Sequence, residues 1–229
     1  MTIFTPQAAF DSRFSDLINF KSCIRVRVSA SYGELNYSAS KTEGIEMKTK
    51  TKTAPTRRGN RDAIYACKII QSPVGDLRLV ASDEALIAVL WENDRPQPVR
   101  LGTLVENDNH PVLLETERQL KEYFQGQRRT FSLKLKLIGT KFQNDVWQML
   151  LAIPFGQTRS YGELARQLGH PRATRAVGAA NGRNPIPIVV PCHRVIGASG
   201  KLTGFGGGLK VKAHLLELEG DKSFWTDAG

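Results

Sequence analysis

Apolar and polar positions change their pattern twice along this chain. Before about residue 62 apolar side chains follow no sustained period, although Ile24 to Val28 alternates apolar and basic residues like a short strand. From Ala63 the pattern becomes regular. Ile64 to Ile70 and Leu77 to Ala81 read as strands joined by the turn Ser72-Pro73-Val74-Gly75, and Leu86 to Trp91 as a third strand. Leu113, Leu114, Leu120 and Phe124 recur at roughly helical spacing, so a helix is expected from Pro111 to Phe124 with Gly126 as its stop. Phe131, Leu133, Leu135 and Leu137 alternate with polar residues and predict a half-buried strand.

Beyond about residue 139 the period becomes helical. Phe142, Val146, Leu150 and Ile153 form one stripe, ended by Pro154-Phe155-Gly156. Ser160 followed by Glu163 is a capping box, so a second helix starts at Tyr161 and carries Tyr161, Leu164, Ala165 and Leu168 on one face. Gly169-His170-Pro171 breaks it. A third helix runs from Arg172 to about Gly182 with Ala173, Ala176, Val177 and Ala180 inward, and a last one from about Leu209 to Leu218. Two short helices joined by a tight turn predict a helix-turn-helix. The expected architecture is therefore α+β: a small N-terminal mixed strand/helix domain over 63–138, then a mostly helical C-terminal domain over 139–222 with a helix-turn-helix. Residues 223–229 are read as a tail.

Composition changes the reading of the first segment most. Met47 to Arg61 is basic, low in complexity and free of carboxylates, so residues 1–62 are expected to be a disordered basic extension that could add nonspecific affinity for DNA. The formal net charge is +10, which suggests an acidic partner. Five arginines and one carboxylate, Glu163, lie between Arg159 and Arg183; on two short helices that is either a phosphate-contacting face or a solvated surface. Three unpaired-looking cysteines (Cys23, Cys67, Cys192) argue for a reducing, cytoplasmic compartment, and they combine with no histidine at zinc-ligand spacing. No apolar run is long enough to span a bilayer.

The candidate chemistry sits at Pro191-Cys192-His193-Arg194-Val195. Ile186 to Pro191 is apolar with two prolines, so it cannot be helical and should hold Cys192 at a fixed place after the helix-turn-helix. His193 and Arg194 supply a local field that favours thiolate. Full ionisation of a thiol of ordinary pKa gains only about thirty-fold in thiolate at pH 7, so positioning must contribute more than activation. Side chains alternate in an extended segment, so His193 is expected to reach the sulfur through a water. A histidine base needs a carboxylate behind it, for which Glu219 is a candidate that sequence does not select over Glu217.

At these residues the chain resembles the O6-alkylguanine-DNA alkyltransferases in their bacterial form. The likeness runs from about Phe142 to Gly220 through Arg175-Ala176-Val177-Gly178, Asn184-Pro185, Pro191-Cys192-His193-Arg194-Val195, Thr203 to Gly208 and Leu215 to Gly220, and more loosely over the strands from Ala63. The resemblance implies DNA repair: irreversible, stoichiometric transfer of a methyl or larger alkyl group from O6 of guanine, with O4 of thymine as a second candidate, onto Cys192 after base flipping. It implies His193 acting through water, Glu219 behind it, and Asn184 bracing the cysteine segment. Arg175 would fill the gap left by the flipped base, with Ala176 beside it on the DNA-facing helix. That helix would enter the minor groove, about 6 Å wide in B-DNA, where its small residues fit. Tyr161 would help rotate the nucleotide and donate to the base, or else is core packing. The carbonyls of Cys192 and Val195 would read the guanine amino group, and Phe205 and the Gly206 amide would line the pocket beside O6. Some relatives have tyrosine and serine at the places of Phe205 and Gly206, which bears on selectivity. Some also hold a structural zinc; no ligand set is visible here, so no metal and no cofactor are expected. Alkylated double-stranded DNA is the expected partner, and the protein is expected to act as a monomer.

Three other readings compete. A noncatalytic lesion sensor of related fold would lack the acceptor cysteine, and Cys192 is present. A transcription regulator would need an added folded module, and none is evident before Ala63. A cysteine hydrolase would need an oxyanion hole, for which the sequence offers no sign.

Overall fold

A computed structural model describes residues 63–91 and 99–220. The expected extension, the possible strand at Ile24 to Val28 and the tail lie outside the described residues.

The first three predicted strands form as β1 (Ile64–Ile70), β2 (Leu77–Ala81) and β3 (Leu86–Trp91). A fourth, β4 (Thr103–Glu106), was not anticipated. The sheet order is β3-β2-β1-β4, with β1 and β4 parallel and the other neighbours antiparallel. Helix α1 (Pro111–Phe124) begins with its proline at N1, where the missing N–H costs nothing, and buries Leu113, Leu120 and Tyr123.

β3 is buried along nearly its whole length, and its outer edge does not face water. Leu86 exchanges backbone hydrogen bonds with Lys134 and Lys136, and the Val89 amide donates to the Pro185 carbonyl at 2.9 Å. The alternating stretch Phe131 to Leu137 supplies the first of these contacts but is not a strand. Only Leu135 bridges to Leu86, and its alternation reflects half-buried side chains packed on the core rather than a ladder. The second contact ties the N-terminal sheet directly to the segment that carries Cys192.

The C-terminal half follows as α2 (Lys141–Leu151), β5 (Arg159–Ser160), α3 (Tyr161–Gln167), α4 (Thr174–Asn181), β6 (Val195–Ile196) and α5 (Leu209–Leu218). Thr140 and Ser160 each cap a helix through a reciprocal box with Gln143 and Glu163, each box satisfying two otherwise orphaned amides. Gly169, at φ 75°, ends α3 in a left-handed conformation and lets α4 fold back against it. α4 starts two residues later than expected, and its inner face is Val177, Ala180 and Asn181; Ala176 is exposed, a correction to the inward placement. One continuous apolar core runs from Leu79 and Leu120 to Trp147, Val177 and Leu215, joining both halves, each fully buried leucine contributing about 2 kcal/mol. Among the described residues no helix is long and apolar enough to cross a membrane.

Candidate active site

The chain leaves α4 through Gly182 and is immediately bracketed by Asn184. Its Oδ1 accepts from the Ile186 amide at 3.0 Å, and its Nδ2 donates to the Val190 carbonyl at 2.8 Å. Inside the bracket Ile188 has φ 71°, a left-handed conformation that costs a β-branched residue energy and persists only when its surroundings impose it. Pro187 and Pro191 stiffen either side. Asn181, at the end of α4, donates from Nδ2 to the Cys192 carbonyl at 3.4 Å.

Cys192 to Arg194 form one 3₁₀ turn rather than the extended segment expected. The Arg194 amide closes the turn on Pro191, and the Val195 amide on Cys192. Successive side chains in such a turn diverge by about 120° rather than alternating. His193 is completely buried, and its Nε2 lies 2.9 Å from Glu219 Oε1. Of the two carboxylates at the end of α5, Glu219 is thus the one that meets the histidine. Because a carboxylate only accepts, Nε2 carries the proton and Nδ1 keeps its lone pair. Nδ1 is buried and finds no hydrogen-bond partner among the described residues.

Glu219 is held by more than the histidine. Arg194 grips it with Nε and Nη2 at 2.8 and 2.9 Å, Tyr123 donates its hydroxyl at 2.8 Å, and the Gly156 amide donates at 3.1 Å. Burial alone would raise the Glu219 pKa, but hydrogen bonds and charge from His193 and Arg194 outweigh it and hold the carboxyl at about 2. Burial, with help from the Arg194 and Lys212 charges, outweighs Glu219 at His193 and pushes the imidazole below its ordinary value. A neutral histidine beside an ionised carboxylate results.

Arg194 therefore serves the carboxylate, where the sequence reading assigned its charge to the thiol. Lys212, which is fully buried, is a cation whose charge interacts with Cys192. Its Nζ donates to the carbonyls of Val195 and Thr203 at 2.5 and 2.8 Å, and burial lowers its pKa to about 8.

Cys192, only 4% exposed, lines a small, partly open pocket of about 20 Å³ together with Trp91, Asn181, Asn184, Pro187, Phe205 and Gly206. β5 pairs in parallel with β6, setting Ser160 beside Ile196, so the start of α3 is fixed to the strand that follows the cysteine turn. The Tyr161 hydroxyl accepts from Thr203 Oγ1 at 3.2 Å, joining α3 to the loop that carries Phe205, and burial raises its pKa. Arg175 and Ala176 lie exposed on α4. Cys192, Asn184, Phe205 and Gly206 thus line one pocket, His193 and Glu219 are buried outside its lining, Tyr161 and Val195 are linked through Thr203 and Lys212, and Arg175 and Ala176 face outward. Tyr123, Trp91 and Lys212 were missed. The first two come from the N-terminal half, and no local motif marks any of the three.

The DNA binding domain of 6-O-methylguanine DNA methyltransferase matches residues 141–221, and the ribonuclease-like domain of the same proteins matches residues 65–137. The chain belongs to the 6-O-methylguanine DNA methyltransferase family. It is 52% identical over 153 residues to the methylated-DNA–protein-cysteine methyltransferase of Mycobacterium leprae, covering 67% of this chain and 91% of that one. Identity to the protein of the same name from Methanosarcina acetivorans is 48% over 152 residues, 66% of this chain and 96% of the relative. Among solved structures, Mycobacterium tuberculosis OGT in complex with DNA superposes with a TM-score of 0.63 at 45% identity, covering 71% of this chain and 96% of that one.

Proposed function

We propose that this protein repairs alkylated double-stranded DNA by moving an alkyl group from O6 of guanine to Sγ of Cys192. The carrying observation is that Cys192 lines a pocket while the turn it opens delivers His193 onto Glu219. O6 of a paired guanine is buried in the stack, so the nucleotide must leave the duplex first. The arginine-bearing face of α3 and α4 meets the phosphates, and Arg175 occupies the gap in the helix. Tyr161, kept protonated by its raised pKa, donates to the extruded base.

The thiol proton passes through a water to Nδ1 of His193, whose cation Glu219 stabilises. The sulfur lone pair attacks the alkyl carbon, the carbon–O6 bond breaks, and its electron pair returns to the purine. The displaced guanine then takes up one proton, so the net change is thiol plus alkylguanine to thioether plus guanine, with no redox step. A thioether is a poor leaving group, so each molecule acts once. Lys212 opposes the charge that develops on sulfur and fixes the Val195 carbonyl. The Val195 carbonyl is offered to the guanine amino group; that of Cys192 already accepts from the Val195 amide and from Asn181 Nδ2, and reads the amino group by displacing the long 3.4 Å Asn181 contact.

The test is to incubate the protein with duplex DNA carrying radiolabelled O6-methylguanine and follow the label. Stoichiometric label on protein, abolished by Cys192→Ala, supports the assignment; label left on DNA refutes it. Arg175→Ala should slow repair of duplex DNA while sparing attack on free O6-benzylguanine. Equal loss on both substrates would place Arg175 in the fold instead.

A further inference from the structure

One wall of the Cys192 pocket comes from the N-terminal sheet. Trp91, the last residue of β3, lines the pocket with Cys192, Pro187 and Phe205. Its ring meets Phe205 edge-on at 5.5 Å between centroids with a 71° interplanar angle. Three separate features fix the indole there. Nε1 donates to the Val74 carbonyl at 3.0 Å, which sets the ring orientation from the sheet side. Gly207 supplies the space: a Cβ at that position would lie 2.9 Å from the indole. The Val89 amide bonded to Pro185 fixes the strand itself against the cysteine segment.

We infer that Trp91 sets the size of alkyl group the pocket accepts. The inference rests on the alkyl-transfer reading above and extends it to the choice of substrate. In-line attack puts the reacting carbon between O6 and Sγ. A methyl group ends there. A larger group must turn aside from that line into the walls flanking Cys192, and an indole held at both its edge and its face cannot swing out of the way. Nothing local marks Trp91 for this role, because it lies 101 positions from the cysteine in sequence (192 − 91).

Single-turnover rates on duplex DNA carrying O6-benzylguanine and O6-methylguanine test this, the readout being their ratio. Trp91→Leu should raise the benzyl-to-methyl ratio roughly tenfold, the lower end of what a methylene-scale change does to discrimination in an apolar pocket. Gly207→Ala should also shift the ratio, because the new methyl meets the indole at 2.9 Å and displaces it, and it leaves the tryptophan in place if Trp91→Leu folds poorly. A general loss of stability would slow both substrates alike. A ratio unmoved by both substitutions overturns the role of Trp91 while leaving alkyl transfer intact. Failure of the wild type to take label from either substrate overturns the reaction, and the wall with it.

Discussion

The hydroxyl of Tyr123 donates to Glu219 across 96 positions of chain, at 2.8 Å and with both groups buried. A helix of the N-terminal half thereby reaches the carboxylate that backs His193. Burial and the Glu219 charge raise the phenol's pKa, so it stays a donor throughout the working range. Tyr123→Phe removes that bond and little volume. A bond to a charged acceptor contributes about 1.5–3 kcal/mol, so denaturant unfolding should show a loss of that order. Arg194, His193 and Gly156 still hold Glu219, so label transfer to Cys192 should fall only a few-fold. A loss of activity without a loss of stability would contradict this division.

The Glu219 pKa of about 2 makes stability depend on acid. A carboxyl whose folded pKa lies below its unfolded 4.5 contributes its full stabilisation above pH 4.5, and loses it as pH falls toward 2. The shift corresponds to about 3 kcal/mol. Glu219→Gln should flatten that part of the stability profile. It should also destabilise the protein at neutral pH by about 3–5 kcal/mol, because Arg194 is left buried without its counter-charge. Urea midpoints measured from pH 3 to 7 on both proteins check the two effects together.

Much of this was legible locally. The capping box at Ser160 and Glu163, the stripe of α2 and the bounds of α5 follow from spacing that any isolated segment would show. β4 was not legible because it has four residues, none fully buried, and is a strand only by pairing with β1. The stretch Phe131 to Leu137 misled in the opposite sense: alternation records which side chains face the core, not whether the backbone pairs. At the site, Cys192, His193 and Asn184 stand within nine positions and could be read as a unit. Tyr123 and Trp91 could not, because what places them there is the packing of one half on the other. Arg194 was read from its neighbour in sequence, whereas a 3₁₀ turn gives it a partner 25 residues away.

The lowered pKa of His193 predicts the acid side of the rate profile. A base must be neutral, and the neutral form dominates above the pKa. Since burial moves that pKa below 6.5, single-turnover transfer should lose no rate to imidazole protonation as pH falls from 8 to 6.5, while protonation of Lys212 in that range favours it, and should decline only beneath 6.5. His193→Gln should slow the reaction and remove the acid limb. A decline centred at or above pH 6.5 in the wild type would mean that the imidazole is not buried in its neutral form.

Asn184 carries the last prediction. Its two bonds to Ile186 and Val190 close the loop in which Ile188 holds φ 71°. Strain of that kind, about 1–3 kcal/mol, survives only while the surroundings over-determine it. Asn184→Ala leaves the Ile186 amide without its acceptor in a buried place, at about 1–3 kcal/mol, strips the Val190 carbonyl of one of its two donors while the Cys192 amide remains, and frees Ile188 to relax. The loop ends at Cys192, so relaxation displaces the sulfur from the in-line path, where a shift of about 1 Å costs on the order of a hundredfold in rate. Asn184→Ala should therefore lose transfer by about that factor on free O6-benzylguanine as well as on duplex DNA, because the defect lies at the nucleophile. Asn184→Asp keeps the acceptor for Ile186 but loses the donor to Val190, so it should fall between the two. Rates on both substrates, set beside unfolding midpoints, separate displacement of Cys192 from simple loss of the fold: displacement slows transfer even at temperatures where the variant remains fully folded.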